Sequence, residues 1–231
     1  MEVRMSILHG DGSQYWARSM SIAEARALRN TDNDRENLLV WLNDDVDLDD
    51  DALSRIVESH DRHPDAVIVG SLRDPDSSVV TYGGLRRTGI HPLKFSLVPP
   101  SSQEQPLDTF NGNFLVLTFS TARRLGGIDG EFSHALADID YGLRCRRLGV
   151  PALLAPGTFG NCARNPSERY TRIGLAWRDF IGIKGGGNYD SLRRILRKSH
   201  PSSWWFFIFS TYLKWWVLAL PRKLYAIGRG W

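Results

Sequence analysis

Leu38-Leu39-Val40-Trp41-Leu42-Asn43-Asp44-Asp45 carries the strongest structural signal in the chain. Five consecutive apolar residues bounded by polar ones suit a short strand buried on both faces. The run stops abruptly at an acidic turn. Beyond it, Asp49 is placed to cap a helix with Ala52, Leu53, Ile56 and Val57 on one face. Ala66–Gly70 follows as another short strand. Upstream, Val3-Arg4-Met5-Ser6-Ile7-Leu8 alternates as a strand, and Gly10-Asp11-Gly12 ends it as a turn. A helix over about Ser21–Leu28 comes next. Strands alternating with helices predict an α/β domain with a largely parallel sheet. In such sheets ligands sit at the carboxyl ends of the strands, and the acidic turn lies at such an end.

Composition sets the outer bounds. The chain has 231 residues, 42% hydrophobic and 24% charged, which is enough to bury a core and excludes disorder and collagen. Only Cys145 and Cys162 could pair, so a disulfide-stapled secreted scaffold is excluded and a reducing compartment is expected. Met1–Asp11 holds no apolar run of signal-peptide length. The charge is uneven. Residues 185–231 carry eight bases against one acid, a surplus of seven, so the rest of the chain is at −4 if the whole is +3. These bases flank an apolar, Trp-rich run instead of lying among polar residues, which points to a membrane surface and not to nucleic acid.

Residues 71–110 read as loops and a hairpin, with Gly83-Gly84 as a turn. Phe114–Phe119 reads as a strand after Asn111-Gly112-Asn113, and Ser120 opens a short helix that Gly126-Gly127 ends. The carboxylates of Asp44, Asp45 and Asp47 at a sheet mouth repel one another. A hard divalent cation, Mg²⁺ or Mn²⁺, would relieve that repulsion. Asp49, Asp50 and Asp51 are explained instead by a helix N-terminus. An EF-hand starting at Asp45 fails, because its sixth position is Asp50 and its twelfth Ile56. A second acidic pair, Asp138 and Asp140, falls in the first turn of a helix beginning near Asp138. Asp140 is spaced to pair with Arg144 at i,i+4. Asp138 is left as an ionised carboxylate able to take a proton from a hydroxyl. Lys184-Gly185-Gly186-Gly187 has its Lys before the glycines and is no phosphate loop.

Taken in order, Leu42-Asn43-Asp44-Asp45-Val46, Asn111-Gly112-Asn113, Gly127-Ile128-Asp129 and Phe132-Ser133-His134-Ala135-Leu136-Ala137-Asp138-Ile139-Asp140-Tyr141-Gly142-Leu143-Arg144 resemble the nucleotide-sugar glycosyltransferases of family 2. The resemblance runs over about residues 3–160 and implies a GT-A-like, Rossmann-like mixed sheet flanked by helices. Its DXD-like motif falls on Asn43, Asp44 and Asp45, with Asp45 facing a Mn²⁺ or Mg²⁺ ion and Asn43 and Asp44 on the nucleotide-sugar. The family's catalytic base matches Asp138, with Ala137 in place of the usual acid. Trp16 is expected against the donor or in pocket packing, and Asn113, His134 and Asp140 toward the acceptor. The implied reaction is inverting sugar transfer from a nucleotide-sugar donor to a cell-envelope glycan or lipid-linked acceptor.

Departures from the family pattern shape the alternatives. The chain opens near what resembles the family's third strand, so a first βαβ-sized piece is expected to be missing. Positions that hold nucleotide contacts in relatives fall on Met20, Ser21 and Ala23. Cys162 stands where many relatives carry a metal-binding His. A non-catalytic, membrane-docked scaffold that has lost donor binding is therefore the competing reading. A nucleotidyltransferase ranks last, for want of a Gly-rich basic loop.

The sequence divides at about residue 170 into an incomplete GT-A-like catalytic domain, 1–170, and a basic, aromatic helical tail, 171–231. Trp204–Leu220 holds one charge, Lys214, and a helix of its 17 residues reaches about 25 Å, short of the roughly 30 Å hydrocarbon core. Ser203, Ser210 and Lys214 form a narrow polar stripe, and Trp204, Trp205, Trp215 and Trp216 sit near its ends. A helix lying in the interface is expected, on the cytoplasmic face of the cell membrane.

Overall fold

The structure, a computed structural model, describes residues 6–29, 36–163 and 173–227. In chain order the elements are α1 (Trp16–Ala27), β1 (Leu38–Leu42), β2 (Asp47–Leu48), α2 (Ala52–Arg62), β3 (Val67–Arg73), β4 (Val80–Tyr82), β5 (Gly84–Arg87) and β6 (Phe95–Leu97). They continue with β7 (Gln105–Pro106), β8 (Thr109–Phe110), β9 (Phe114–Thr118), α3 (Phe119–Leu125), α4 (Ala137–Arg147), β10 (Ala152–Asn161), α5 (Ile173–Ile181), α6 (Tyr189–Ser199) and α7 (Trp204–Ile227).

The main sheet runs β1-β9-β3-β10-β2, with β4 beside β3 and β7 beside β10. β9 is antiparallel to both β1 and β3, and β3 is parallel to β10. Hence β1, β3 and β10 point the same way, and their carboxyl ends share one sheet edge with the start of β9. A small sheet, β6-β5-β8, stands apart. The fold is the mixed α/β sheet flanked by helices that the resemblance implies; the largely parallel sheet expected from strand–helix alternation is corrected, because among the described strands only β3 and β10 pair in parallel and β9 runs against both its neighbours.

Two apolar layers hold it. On one face Leu39, Trp41, Leu115 and Leu117 pack with Ala17, Ala122, Tyr141 and Cys145 of the helices. On the other, Ala52 and Ile56 of α2 pack with Ile68, Leu72, Phe114 and Phe159. β1 departs from the expectation of burial on both faces. Leu39 and Trp41 are buried, while Val40 and Leu42 are 38% and 44% exposed. The cause is position: β1 has only β9 as a neighbour, and α2 lies over β3, β9 and β10.

Local signals set several boundaries. Thr118 caps α3 by accepting from the Thr121 N–H, and Gly126 ends it at φ 82°. α1 begins at Trp16, five residues before the expected Ser21, because Trp16, Ala17, Met20 and Glu24 all face the interior. Ser6–Leu8 form no strand; Val3–Met5 of that expected strand lie outside the described residues. Helices of the expected tail contribute to the same core as the sheet, through Leu192, Ile195 and Leu196 of α6 and Ile208 of α7. α7 has 24 residues instead of 17. Among the described residues no helix is long and apolar enough to cross a membrane.

Candidate functional site

Strand register brings the first acidic turn to its neighbours. Leu42 of β1 pairs with Phe114 of β9, so the turn leaving β1 abuts the turn entering β9. The Asn43 N–H donates to the Asn113 carbonyl at 3.0 Å. The chain then crosses the ends of the central strands to pair β2 with the last residues of β10, Leu48 with Gly160 and Asp47 with Asn161. Gly160 is required at that crossing, since a Cβ there would lie 2.3 Å from the Asp47 carbonyl oxygen. This path sets Asp45 against Cys162, which follows β10.

The Trp16 indole N–H donates to Asn43 Oδ1 at 2.8 Å, fixing the carboxamide from α1. Trp16 stands edge-on to Trp41, and Trp41 edge-on to Tyr141 of α4, with ring centres 6.2 and 4.7 Å apart. A Cβ on Gly112 would meet the Trp16 ring at 2.9 Å, so glycine lets the second turn lie under the indole.

α4 delivers the second acidic turn. Leu136, just before it, holds a left-handed backbone, φ 78°, uncommon for a residue other than glycine and kept only where the surrounding packing over-determines it. Gly142 lets α4 approach β8 closely, and the Thr109 hydroxyl donates to the Ile139 carbonyl at 2.9 Å. Asp138 is thereby placed beneath the β9 turn. It accepts from the Ile139 N–H at 2.8 Å, from the Gly112 N–H at 3.2 Å and from the Asn111 side chain. Burial pushes its pKa up, and these donors pull against that shift.

One cavity of about 430 Å³ is walled by Trp16, Asn43, Asp44, Asp45, Asn113, His134 and Asp138. All of the residues expected in the site lie together there except Asp140. Asp140 is buried on the opposite side of α4, paired with Arg144 and with Lys198 of α6, each at 3.0 Å. Its expected acceptor-binding role is corrected: the i,i+4 pair expected from its spacing engages the carboxylate, and Lys198, far along the chain, closes it off. His134 has a buried Nδ1 with no hydrogen-bond partner among the described residues. Burial, with the nearby charge of Lys184, pushes its pKa down, so the ring is neutral at pH 7.

Among the described residues the walls include three carboxylates, Asp44, Asp45 and Asp138, and no Lys or Arg. No cluster of three or more His, Cys, Asp or Glu among the described residues makes a metal cage by itself. Asp44 and Asp45 fit a different arrangement, in which one or two carboxylates hold Mg²⁺ or Mn²⁺ jointly with substrate phosphates. Cys162 lies beside Asp45: burial, and then the charge and hydrogen bond of Asp45, push its thiol up to about 11. The downstream acids make ion pairs and not side-chain caps: α2 starts from Asp51, whose carboxylate makes no capping bond, and Asp49, the expected cap, is held by Arg73 of β3 instead. Asp49 makes paired bonds to Arg73 at 2.7 and 2.9 Å, and Asp51 pairs with Arg55 at 3.1 Å.

Sequence reasoning passed over Glu24. It lies buried on α1 and accepts from the Tyr141 hydroxyl at 3.1 Å and the Ile128 N–H at 2.5 Å, tying α1 to α4. A lone Glu in an amphipathic helix gives no local sign of a partner 117 residues away. Tyr82, Asn111 and Ile139 also line the cavity; Asn111 and Ile139 stood in quoted motifs, and Tyr82 in none.

No protein-family model matches the chain, and no curated protein matches it in sequence. Among solved structures it is similar to GalNAc-T7, crystallised with UDP, GalNAc and Mn²⁺, at a TM-score of 0.55 and 10% identity. That match covers 80% of this chain and 34% of the other, so the chain spans about a third of its neighbour's length. The likeness shows a GT-A-like fold.

Proposed function

We propose that the chain is a metal-dependent inverting glycosyltransferase, moving a sugar from a nucleotide-sugar donor to a glycan or lipid-linked acceptor of the cell envelope at the cytoplasmic membrane face. The observation that carries this reading is the single cavity walled by both acidic turns. In it, Asp138 takes the proton of the attacking acceptor hydroxyl. The new bond joins that oxygen to the anomeric carbon, and the bond to the diphosphate breaks with its electron pair leaving on the phosphate. Burial brings the Asp138 pKa closer to the working pH, while the Gly112 and Ile139 N–H groups keep the carboxylate aimed. Asp44 and Asp45 would hold the cation, which would supply positive charge to neutralise the departing diphosphate. Trp16 locks Asn43 at the donor wall. Asn113 and the unpartnered Nδ1 of neutral His134 meet acceptor hydroxyls.

Attachment to a membrane surface is supported by the outward face of α7. Trp205, Phe206, Phe209 and Leu213 are each at least half exposed there, a contiguous apolar stripe of the kind that marks an interaction site. The test of the catalytic reading uses the full chain with a panel of nucleotide sugars, Mn²⁺ and cell-envelope acceptors, and measures nucleoside diphosphate release. Asp138→Asn should lower the rate by about a hundredfold or more. Equal rates in the two proteins refute the assignment of the base, and silence with every donor favours the scaffold.

A further inference from the structure

A second, larger cavity of about 910 Å³ lies between α7 and the β5–β6 hairpin. Its walls are mainly apolar, among them Leu93, Phe95, Leu192 and Trp215. The only charged groups on them are Lys94 and Lys214, both exposed and without an ion pair among the described residues. Leu136 walls this groove and the acidic cavity alike, so the two spaces adjoin at the residue before the Asp138 helix.

The helix that closes the groove carries apolar side chains on both sides: Ile208 enters the core and Trp215 lines the groove, while others face outward. Ser210, Thr211 and Lys214 line the groove, whereas Trp205, Phe206, Phe209 and Leu213 face away from the protein. Its seat on the hairpin is specific. His91 accepts from the Leu93 N–H through Nδ1, leaving Nε2–H to donate to the Thr211 hydroxyl at 3.0 Å or the Phe207 carbonyl at 3.3 Å. At the hairpin tip Ile90 is 98% exposed beside the groove. An apolar trough therefore opens beside an apolar outer surface and carries two cations and no anion.

We propose that this groove holds the hydrocarbon chain of a lipid-linked acceptor, with Lys94 and Lys214 pairing with its phosphate and the sugar-accepting end passing Leu136 into the acidic cavity. The inference rests on the transferase reading and names its acceptor: a phosphate ester bearing a long hydrocarbon chain. A fully water-soluble glycan has no use for the trough. An ordinary bilayer lipid would meet the outer face of α7 instead.

The test is calorimetric titration of the full chain with dodecyl phosphate below its micelle concentration. Dodecanol, octyl phosphate and inorganic phosphate serve as comparison ligands. Dodecyl phosphate should bind, and each methylene removed should weaken binding by about fourfold. Changing both Lys94→Gln and Lys214→Gln, exposed positions that leave the fold intact, should weaken it by about thirtyfold. Leu93→Trp should block it by filling the trough. Trp205→Gln with Phe209→Gln should reduce sedimentation with phosphatidylglycerol vesicles and leave dodecyl phosphate binding unchanged. Absence of binding overturns the proposal. So does binding that ignores the lysine and Leu93 changes, or that is lost only with the outer-face changes. Asp138→Asn should bind dodecyl phosphate like the parent. The groove is thus judged by binding and the transferase reading by turnover, and either can fail alone.

Discussion

Gly142→Ala is a sharp test of how the site is held. The glycine sits in the first half of α4, one turn after Asp138, where the helix crosses β8. A Cβ there would lie 2.3 Å from the Thr109 hydroxyl and 2.7 Å from the Thr109 Cα. The hydroxyl cannot swing aside freely, because it bonds the Ile139 carbonyl at 2.9 Å. The Cα is backbone in a paired strand. Restoring ordinary contact at 3.4 Å requires a separation of 0.7 Å from that Cα, taken as 3.4 less 2.7. Overpacking of this kind costs about 1–3 kcal/mol. The displaced helix carries Asp138 with it, and a misplacement near 1 Å costs up to about a hundredfold in rate. Urea denaturation and nucleoside diphosphate release, measured on the same sample, read the two effects. Gly186→Ala, where a Cβ meets nothing within 4 Å, is the comparison for stability. A Gly142→Ala protein as stable and as active as the parent would falsify the close approach of α4 to β8.

Other outcomes follow from the same contacts. Asp129 feels burial that would raise its pKa, yet hydrogen bonds from Arg194 and Lys198 bring it down from 3.8 to about 2. Its folded pKa is the lower one, so its stabilisation, on the order of 2 kcal/mol, is present above pH 3.8 and lost as pH falls through 2; Asp129→Asn should flatten the acid limb of a stability–pH curve. Trp16→Phe keeps the ring but removes the 2.8 Å bond to Asn43 and should cost about 1 kcal/mol by denaturant titration, with weaker donor binding by calorimetry. The thiols are pushed up by burial, Cys145 to about 12 and Cys162 to about 11, so iodoacetamide at pH 8 should leave both unmodified in the folded protein and label both in urea. His91→Ala removes the hairpin's hold on α7, and limited proteolysis should then cut near His200–Ser203 faster than in the parent.

What the sequence made legible was local. The apolar run before Asn43 announced β1, Gly126-Gly127 announced the end of α3, and the Asp138–Arg144 segment announced α4, because each signal lies within a few residues. Exposure of Val40 and Leu42 was illegible, since a five-residue apolar run reads alike at a sheet's centre and at its edge. The early start of α1 was missed because Trp16 and Ala17 are interior only through contacts with distant strands. Within the site, Asp44, Asp45 and Asp138 were visible as acids at element ends. Their meeting depends on β1–β9 register and on Gly112 lying under Trp16, neither of which a linear pattern displays. Asp140 shows the converse: its Arg144 partner was readable at four residues' distance, whereas Lys198, 58 residues on, was not.

The central claim is that the acidic cavity divides its labour, Asp44 and Asp45 gripping a cation with the donor diphosphate and Asp138 serving only the incoming hydroxyl. Calorimetry with nucleoside diphosphate and Mn²⁺, paired with turnover on the same variants, measures this directly. Asp45→Asn should lose Mn²⁺-dependent binding and turnover together. Asp138→Asn should bind like the parent and fail to turn over. An Asp138→Asn protein that transfers sugar at the parental rate, or an Asp45→Asn protein that binds unchanged, contradicts the account.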